Sequence, residues 1–167
     1  MDIKRLTIIA FLTALSTLAV GYLRIPSPYG GIIHFGDSVI FIVAVFFGPF
    51  AGAFVGGVGH AVANLIFGPQ IFAPWTLVIK ALMGFTVGAI AYKKEVKSLR
   101  LWIALILAWI ILLVGYFIAT IVLFNLGDLA TSPVPLVFAL SNATQWVASI
   151  IAFLMLLPII KKILKRL

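Results

Sequence analysis

Five apolar blocks dominate the sequence, at 3–22, 33–67, 74–92, 101–126 and 135–160. About 20 apolar residues in a row are what an α-helix needs to cross the hydrocarbon core of a bilayer. Lipid offers no water to unpaired backbone groups, so blocks of this kind fold as helices. The fold class expected is therefore an all-α integral membrane bundle, one transmembrane domain over 1–167. Composition excludes the soluble alternatives. The chain is 64% hydrophobic and 10% charged, where a soluble domain carries about 25% charged residues. A soluble enzyme and a free nucleic-acid binder are excluded, despite a net charge of +8. With no cysteine there is no disulfide, thiolate metal site or Cys nucleophile. The stretch Ile3 to Gly21 is longer than a signal-peptide core and lacks a small-x-small cleavage site, so it is expected to be retained.

The second block is too long for one ordinary span and has Gly48-Pro49 at its middle. Proline inside an apolar run breaks or kinks a helix. Charge decides whether the run is one span or two, because Lys and Arg concentrate in cytoplasmic loops. The basic clusters are Lys4-Arg5, then Lys93, Lys94, Lys97 and Arg100, then Lys161, Lys162, Lys165 and Arg166. All three share one side only if 33–67 forms two helices that turn at Gly48-Pro49. Six spans with both termini cytoplasmic then leave ten of the twelve basic residues inside, Arg24 outside and Lys80 within a span. The outer connections are 23–33, 67–74 and 127–134, all short and rich in Gly and Pro. The second helix, from about 34 to 48, is near the lower limit for a span.

This topology turns sequence position into depth. His34 and Asp37 open helix 2 on the outer side, and His60 and Asn64 close helix 3 there. Trp75 begins helix 4, with Lys80 five residues further in, about 8 Å deep at 1.5 Å per residue. Tyr116, Thr120 and Asn125 end helix 5. Asn142, Gln145, Trp146 and Ser149 follow at i, i+3, i+4 and i+7, one face of helix 6. The inner half is almost pure hydrocarbon. Polar side chains from five helices at one level predict an outward-open small-molecule cavity. The residues expected to line it are His34, Asp37, His60, Asn64, Trp75, Lys80, Asn125, Asn142, Gln145 and Trp146.

Plainer roles exist for several of these. Lys80 can snorkel to the interface, but an ionisable group within a span more often faces the bundle interior. The repeat Thr76, Lys80, Gly84, Gly88 puts it on a small-residue packing face, with Asp37 as its nearest acid. His60 and Asn64 extend the series Gly48, Gly52, Gly56 and can serve only as interhelical hydrogen-bond partners. Trp146, amid amides, suits stacking on a flat ligand. Arg24 and Asp128 read as solvated loop charges.

Other chemistry is missing from the sequence. There is no GxxxxGK[ST] loop for ATP, and Gly56-Gly57-Val58-Gly59 lies in a membrane helix rather than between strand and helix. His34, His60 and Asp37 lack HxxxH or HExxH spacing, so no metal is expected. Proton-coupled carriers need buried acids, and only Asp37 and Asp128 are on the outer side. What remains is a binder that depends on a separate energy source. The reading from another class is a small integral-membrane enzyme or assembly factor with a polar outer pocket.

Residues 5–92 carry a resemblance. The carrying features are Ala10-x-x-x-Ala14, Phe35-Gly36-Asp37 running into Ile40-Phe41, and Phe47-Gly48-Pro49-Phe50-Ala51-Gly52-Ala53. With them go Gly56-Gly57-Val58-Gly59, the stretch from Ala73-Pro74-Trp75 to Lys80, and Gly84. In this order, with six spans, the set resembles the substrate-binding S components of energy-coupling factor (ECF) transporters, prokaryotic vitamin importers. The second half matches in topology alone. The resemblance implies a plasma-membrane six-helix bundle that captures a vitamin or precursor at its outer face, of the riboflavin, pyridoxine or hydroxymethylpyrimidine class. It implies no cofactor, since the vitamin is the substrate, and no enzymatic activity or nucleic-acid partner. It also implies docking through Ala10 and Ala14 on a transmembrane coupling subunit driven by two cytoplasmic ATPases, with the bundle toppling in the membrane to release substrate. Alanines four apart allow a second helix to approach closely.

Overall fold

A computed structural model describes residues 3–27, 32–124 and 134–164 of the chain. Six α-helices run in the order α1 (Ile3–Tyr22), α2 (Gly36–Phe47), α3 (Pro49–Phe67), α4 (Ala73–Ala91), α5 (Leu99–Phe124) and α6 (Val134–Leu164). All except α2 are long and apolar enough to cross a membrane. Their outward surfaces carry large apolar side chains such as Phe11, Val114, Ile151 and Met155, which suits lipid as the solvent.

The 33–67 block divides where the glycine-proline pair stands. Gly48 takes φ +94, a left-handed conformation that glycine adopts without a Cβ penalty. Its N–H caps α2 on the Ala44 carbonyl at 3.1 Å, and Pro49 opens α3, where its missing N–H costs nothing. The resulting α2 is shorter than the 34–48 span read from sequence. Its 12 residues rise about 18 Å, against about 30 Å of hydrocarbon. Every residue from Gly36 to Val45 is buried. A helix covered on all sides by protein need not match the bilayer thickness, and α2 is such a helix.

The basic segments gather at one end of the bundle. Arg5 donates from Nη2 to the Phe47 carbonyl, and the Lys93 N–H donates to Val45 O at 2.8 Å. The α2–α3 turn, the start of α1 and the α4–α5 connection therefore lie together. Leu101 and Leu157 belong to the main core, and the partly buried Val96 and Ile160 pack against it. For the first two basic clusters this agrees with the even number of spans inferred from charge.

At the opposite end, the segment expected to be a plain loop contains a short antiparallel hairpin, β1 (Arg24–Pro26) and β2 (Ile32–His34). It pairs Arg24 with His34 and Ile25 with Ile33. His34 therefore stands on a strand, two residues before α2, and not on the helix itself.

Two apolar clusters hold the bundle. The larger joins α2, α4, α5 and α6 through Phe41, Met83, Leu105 and Phe153, all fully buried. The smaller joins α1, α2 and α3 through Ile9, Val43 and Val55. Between α3 and α4 the backbones themselves touch, since a Cβ on Gly84 would overlap the Gly52 carbonyl. The four-residue glycine spacing on both helices is what permits that approach.

Candidate functional site

Beneath the hairpin end lies the most concentrated polar chemistry of the described residues. Asp37, on the first turn of α2, has no exposed surface, and Lys80 of α4 has 1%. Lys80 Nζ donates to both carboxylate oxygens of Asp37, at 2.7 and 2.8 Å. Gln145 of α6 donates its Nε2 to Asp37 Oδ2 at 2.8 Å. His60 of α3 brings Nε2 to 3.1 Å from Asp37 Oδ1, while its Nδ1 is 3.3 Å from the Ser16 hydroxyl of α1. Four helices thus converge on one carboxylate. Taking two ions out of water costs several kcal/mol each, and only dense pairing offsets that cost. Lys80 does not snorkel.

His34, Asp37 and His60 also set three potential metal-ligand atoms within 4.8 Å of one another. Lys80 already places a positive charge on both oxygens of the carboxylate. A divalent cation there would meet that ammonium, so the cluster works as an ion pair with histidines around it. Burial lowers the His34 imidazole below its ordinary pKa, so the ring is neutral.

Above this layer opens a cavity of about 190 Å³. Its polar lining is His34 of β2, Asn64 of α3, Tyr116 of α5, and Ser141, Asn142 and Gln145 of α6, with Arg24 at the rim. Its aromatic lining is Phe67, Phe72 and Phe138. Phe72 and Phe138 stack at 5.7 Å with 20° between their planes. A second polar chain braces the wall: Asn64 Nδ2 donates to Thr76 Oγ1 at 2.7 Å, and Thr76 Oγ1 lies 2.8 Å from the Tyr116 hydroxyl. Ser149 fixes the hairpin by donating to the His34 carbonyl at 3.2 Å.

The residues singled out from sequence therefore fall into three groups. His34, Asn64, Asn142 and Gln145 line the cavity. Asp37, His60 and Lys80 form the charged layer beneath it, within which Gln145 takes part from above. Trp75 and Trp146 lie elsewhere: Trp75 packs on the main core. Trp146 donates its indole N–H to Leu105 O at 3.1 Å and sits 5.5 Å from the Trp109 ring. The expected stacking face of Trp146 is turned to α5, because its position in the i+4 row falls just beyond the inward edge held by Asn142, Gln145 and Ser149. Asn125, like Asp128, lies outside the described residues.

The sequence reading missed the aromatic wall and Arg24. Phe67, Phe72 and Phe138 are apolar residues in an apolar chain, and only their clustering near the outer helix ends distinguishes them. Arg24, read as a solvated charge, is exposed but donates from Nη1 to the Phe67 carbonyl at 2.9 Å, which holds it over the cavity mouth.

The fold and cavity can be set beside known proteins. The family model of the ECF-type riboflavin transporter S component matches residues 1–164. The chain belongs to that family. It is the membrane-embedded, substrate-binding subunit of an ECF-type vitamin importer, a multi-pass protein of the prokaryotic plasma membrane. Its bundle superposes on the S component of a bacterial ECF transporter with a TM-score of 0.74 at 24% identity, covering 97% of this chain and 98% of the other. A Pyrococcus woesei protein of uncharacterised function is 39% identical over 112 residues, 66% of this chain and 74% of its own. The thiamine precursor transporter HmpT of Lactococcus lactis subsp. cremoris is 28% identical over 130 residues, 76% of this chain and 73% of its own.

Proposed function

We propose that this S component captures a single-ring vitamin or vitamin precursor, of pyrimidine or pyridine size, in the cavity below the hairpin. The observation that carries the reading is the cavity volume of about 190 Å³. Pockets for drug-sized ligands run from about 300 to 1,000 Å³. A fused three-ring system with a sugar-alcohol chain, as in riboflavin, belongs in that larger class. The likeness to a thiamine precursor transporter supports the smaller substrate. In this reading His34, Asn64, Asn142 and Gln145 touch the ligand, and the Phe72–Phe138 stack replaces Trp146 as its flat wall. Asp37, His60 and Lys80 form the floor, while Trp75 and Trp146 pack helices. The bound vitamin is substrate, and no cofactor or catalytic group takes part.

The same proposal covers orientation and partners. The end bearing Arg5, Gly48 and Lys93 faces the cytoplasm, in keeping with the positive-inside bias. Both termini lie on that side, and 1–167 acts as one domain. Ala10 and Ala14 are exposed on α1, which supports their role as the surface that meets a transmembrane coupling subunit. Two cytoplasmic ATPases supply the energy. The test is calorimetric titration of the purified protein with riboflavin, pyridoxine and hydroxymethylpyrimidine. Binding of one of the single-ring compounds, with riboflavin bound much more weakly, is expected. Tight riboflavin binding would overturn the reading.

A further inference from the structure

The charged floor dictates the hydrogen-bond polarity of the cavity. An ionised carboxylate only accepts hydrogen bonds. Gln145, in contact with Asp37 Oδ2 at 2.8 Å, must therefore turn its Nε2 toward Asp37, whichever way its amide would otherwise lie. Lys80 reinforces this: its ammonium on both Asp37 oxygens keeps the carboxylate ionised and in place. Gln145 also lines the cavity, and among the described residues none donates to its Oε1. The floor thus offers a carbonyl acceptor whose orientation is set before any ligand arrives.

The charge balance of the cavity narrows the ligand further. Asp37 is covered by Lys80 and Gln145, and no Asp or Glu is among the described residues that line the cavity. Among the described residues of the lining, none offers a full negative charge to a cation. Arg24, at the rim, is the one charged side chain among the described residues of the lining. Apart from Arg24, the described lining is neutral, with the Gln145 carbonyl group at its floor and phenylalanines at its wall.

Resting on the single-ring reading above, we infer that the substrate is an uncharged heteroaromatic that presents an N–H donor, such as a ring amino group, to Gln145 Oε1. Asp37 and Lys80 are positioning residues that hold the Gln145 amide in that sense. A site built around a polar group discriminates strongly against the analogue that lacks it, because its own partner is then left unpaired.

Calorimetry with three matched compounds tests this: an amino-hydroxymethyl-methylpyrimidine, the same ring with hydrogen in place of the amine, and the same ring with a carbonyl there. Wild-type protein should bind the amine about 5- to 100-fold more tightly than the hydrogen analogue, and the carbonyl analogue least. Gln145→Met should bring the amine and hydrogen analogues within about twofold of each other, since the acceptor is gone. The double variant Asp37→Asn, Lys80→Met should narrow the same preference, because an amide in place of the carboxylate can donate as well as accept and frees the Gln145 amide to turn. Equal binding of all three compounds to wild type, or a preference unchanged in Gln145→Met, would overturn the inference while the single-ring reading stands. If no single-ring compound bound but riboflavin did, the size reading would fail, and this inference with it. The wild-type comparison needs no variant to fold.

Discussion

Replacing Lys80 with methionine removes an ammonium that donates to Asp37 at 2.7 and 2.8 Å, with both groups at most 1% exposed. Methionine suits hydrocarbon better than lysine, and a lone lysine in a span costs roughly 2.5–3.5 kcal/mol on insertion scales. Depth alone would therefore make Lys80→Met stabilising. The pairing reverses the sign. The variant leaves Asp37 without its counter-ion in a dry interior, with Gln145 as its one remaining well-aligned donor among the described residues. Breaking a buried pair from one side costs about 3–5 kcal/mol. For a chain of this length that corresponds to a fall in Tm of roughly 6–20 °C. Asp37→Asn should cost a similar amount, since it strands Lys80. The double variant Asp37→Asn, Lys80→Met removes both charges and keeps an acceptor for Gln145. It should regain at least half of the stability lost by the worse single variant, as neutral replacements of buried pairs commonly do. Thermal unfolding of the four proteins in one detergent closes the cycle. Single variants as stable as wild type, or a double variant whose loss is the plain sum of the two, would refute the argument that these charges depend on each other.

Three further perturbations test other parts of the structure. Ala10→Leu or Ala14→Leu should abolish ATP-driven uptake and leave ligand affinity of the isolated subunit nearly unchanged, because both side chains point away from the bundle; parallel loss of affinity and uptake would make them internal packing. Phe50 is 80% exposed beside the α2–α3 turn, so Phe50→Cys should be labelled by a membrane-impermeant reagent only from the cytoplasmic face, and labelling of intact cells would reverse the orientation. Gly84→Ala should destabilise the bundle by about 1–3 kcal/mol, since the added methyl runs into the Gly52 carbonyl; an unchanged Tm would mean that α3 and α4 can separate freely.

The sequence by itself determined the solvent and the number of helices, and it set the orientation expected of them. Apolar blocks of span length, a glycine-proline break and three basic clusters are local or additive signals, and each keeps its meaning whatever the helices pack against. The polar level was legible for a related reason. A buried polar side chain is costly in lipid, so His34, Asp37, His60, Asn64, Lys80 and Gln145 stand out from the residues around them. Tertiary structure decided what each of these does. Whether Lys80 meets lipid headgroups, ligand or Asp37 depends on how α4 is rotated against α2, which periodicity along one helix does not specify. Trp146 and Gln145 are neighbours in sequence and on the same helix. The rotation of α6 against α5 sends the indole to Leu105 and the amide to Asp37. The aromatic wall was hidden for the opposite reason, since phenylalanine costs nothing on a lipid face or in a cavity. Only the packing of α3, the α3–α4 connection and α6 around one void separates Phe67, Phe72 and Phe138 from the phenylalanines that face the membrane.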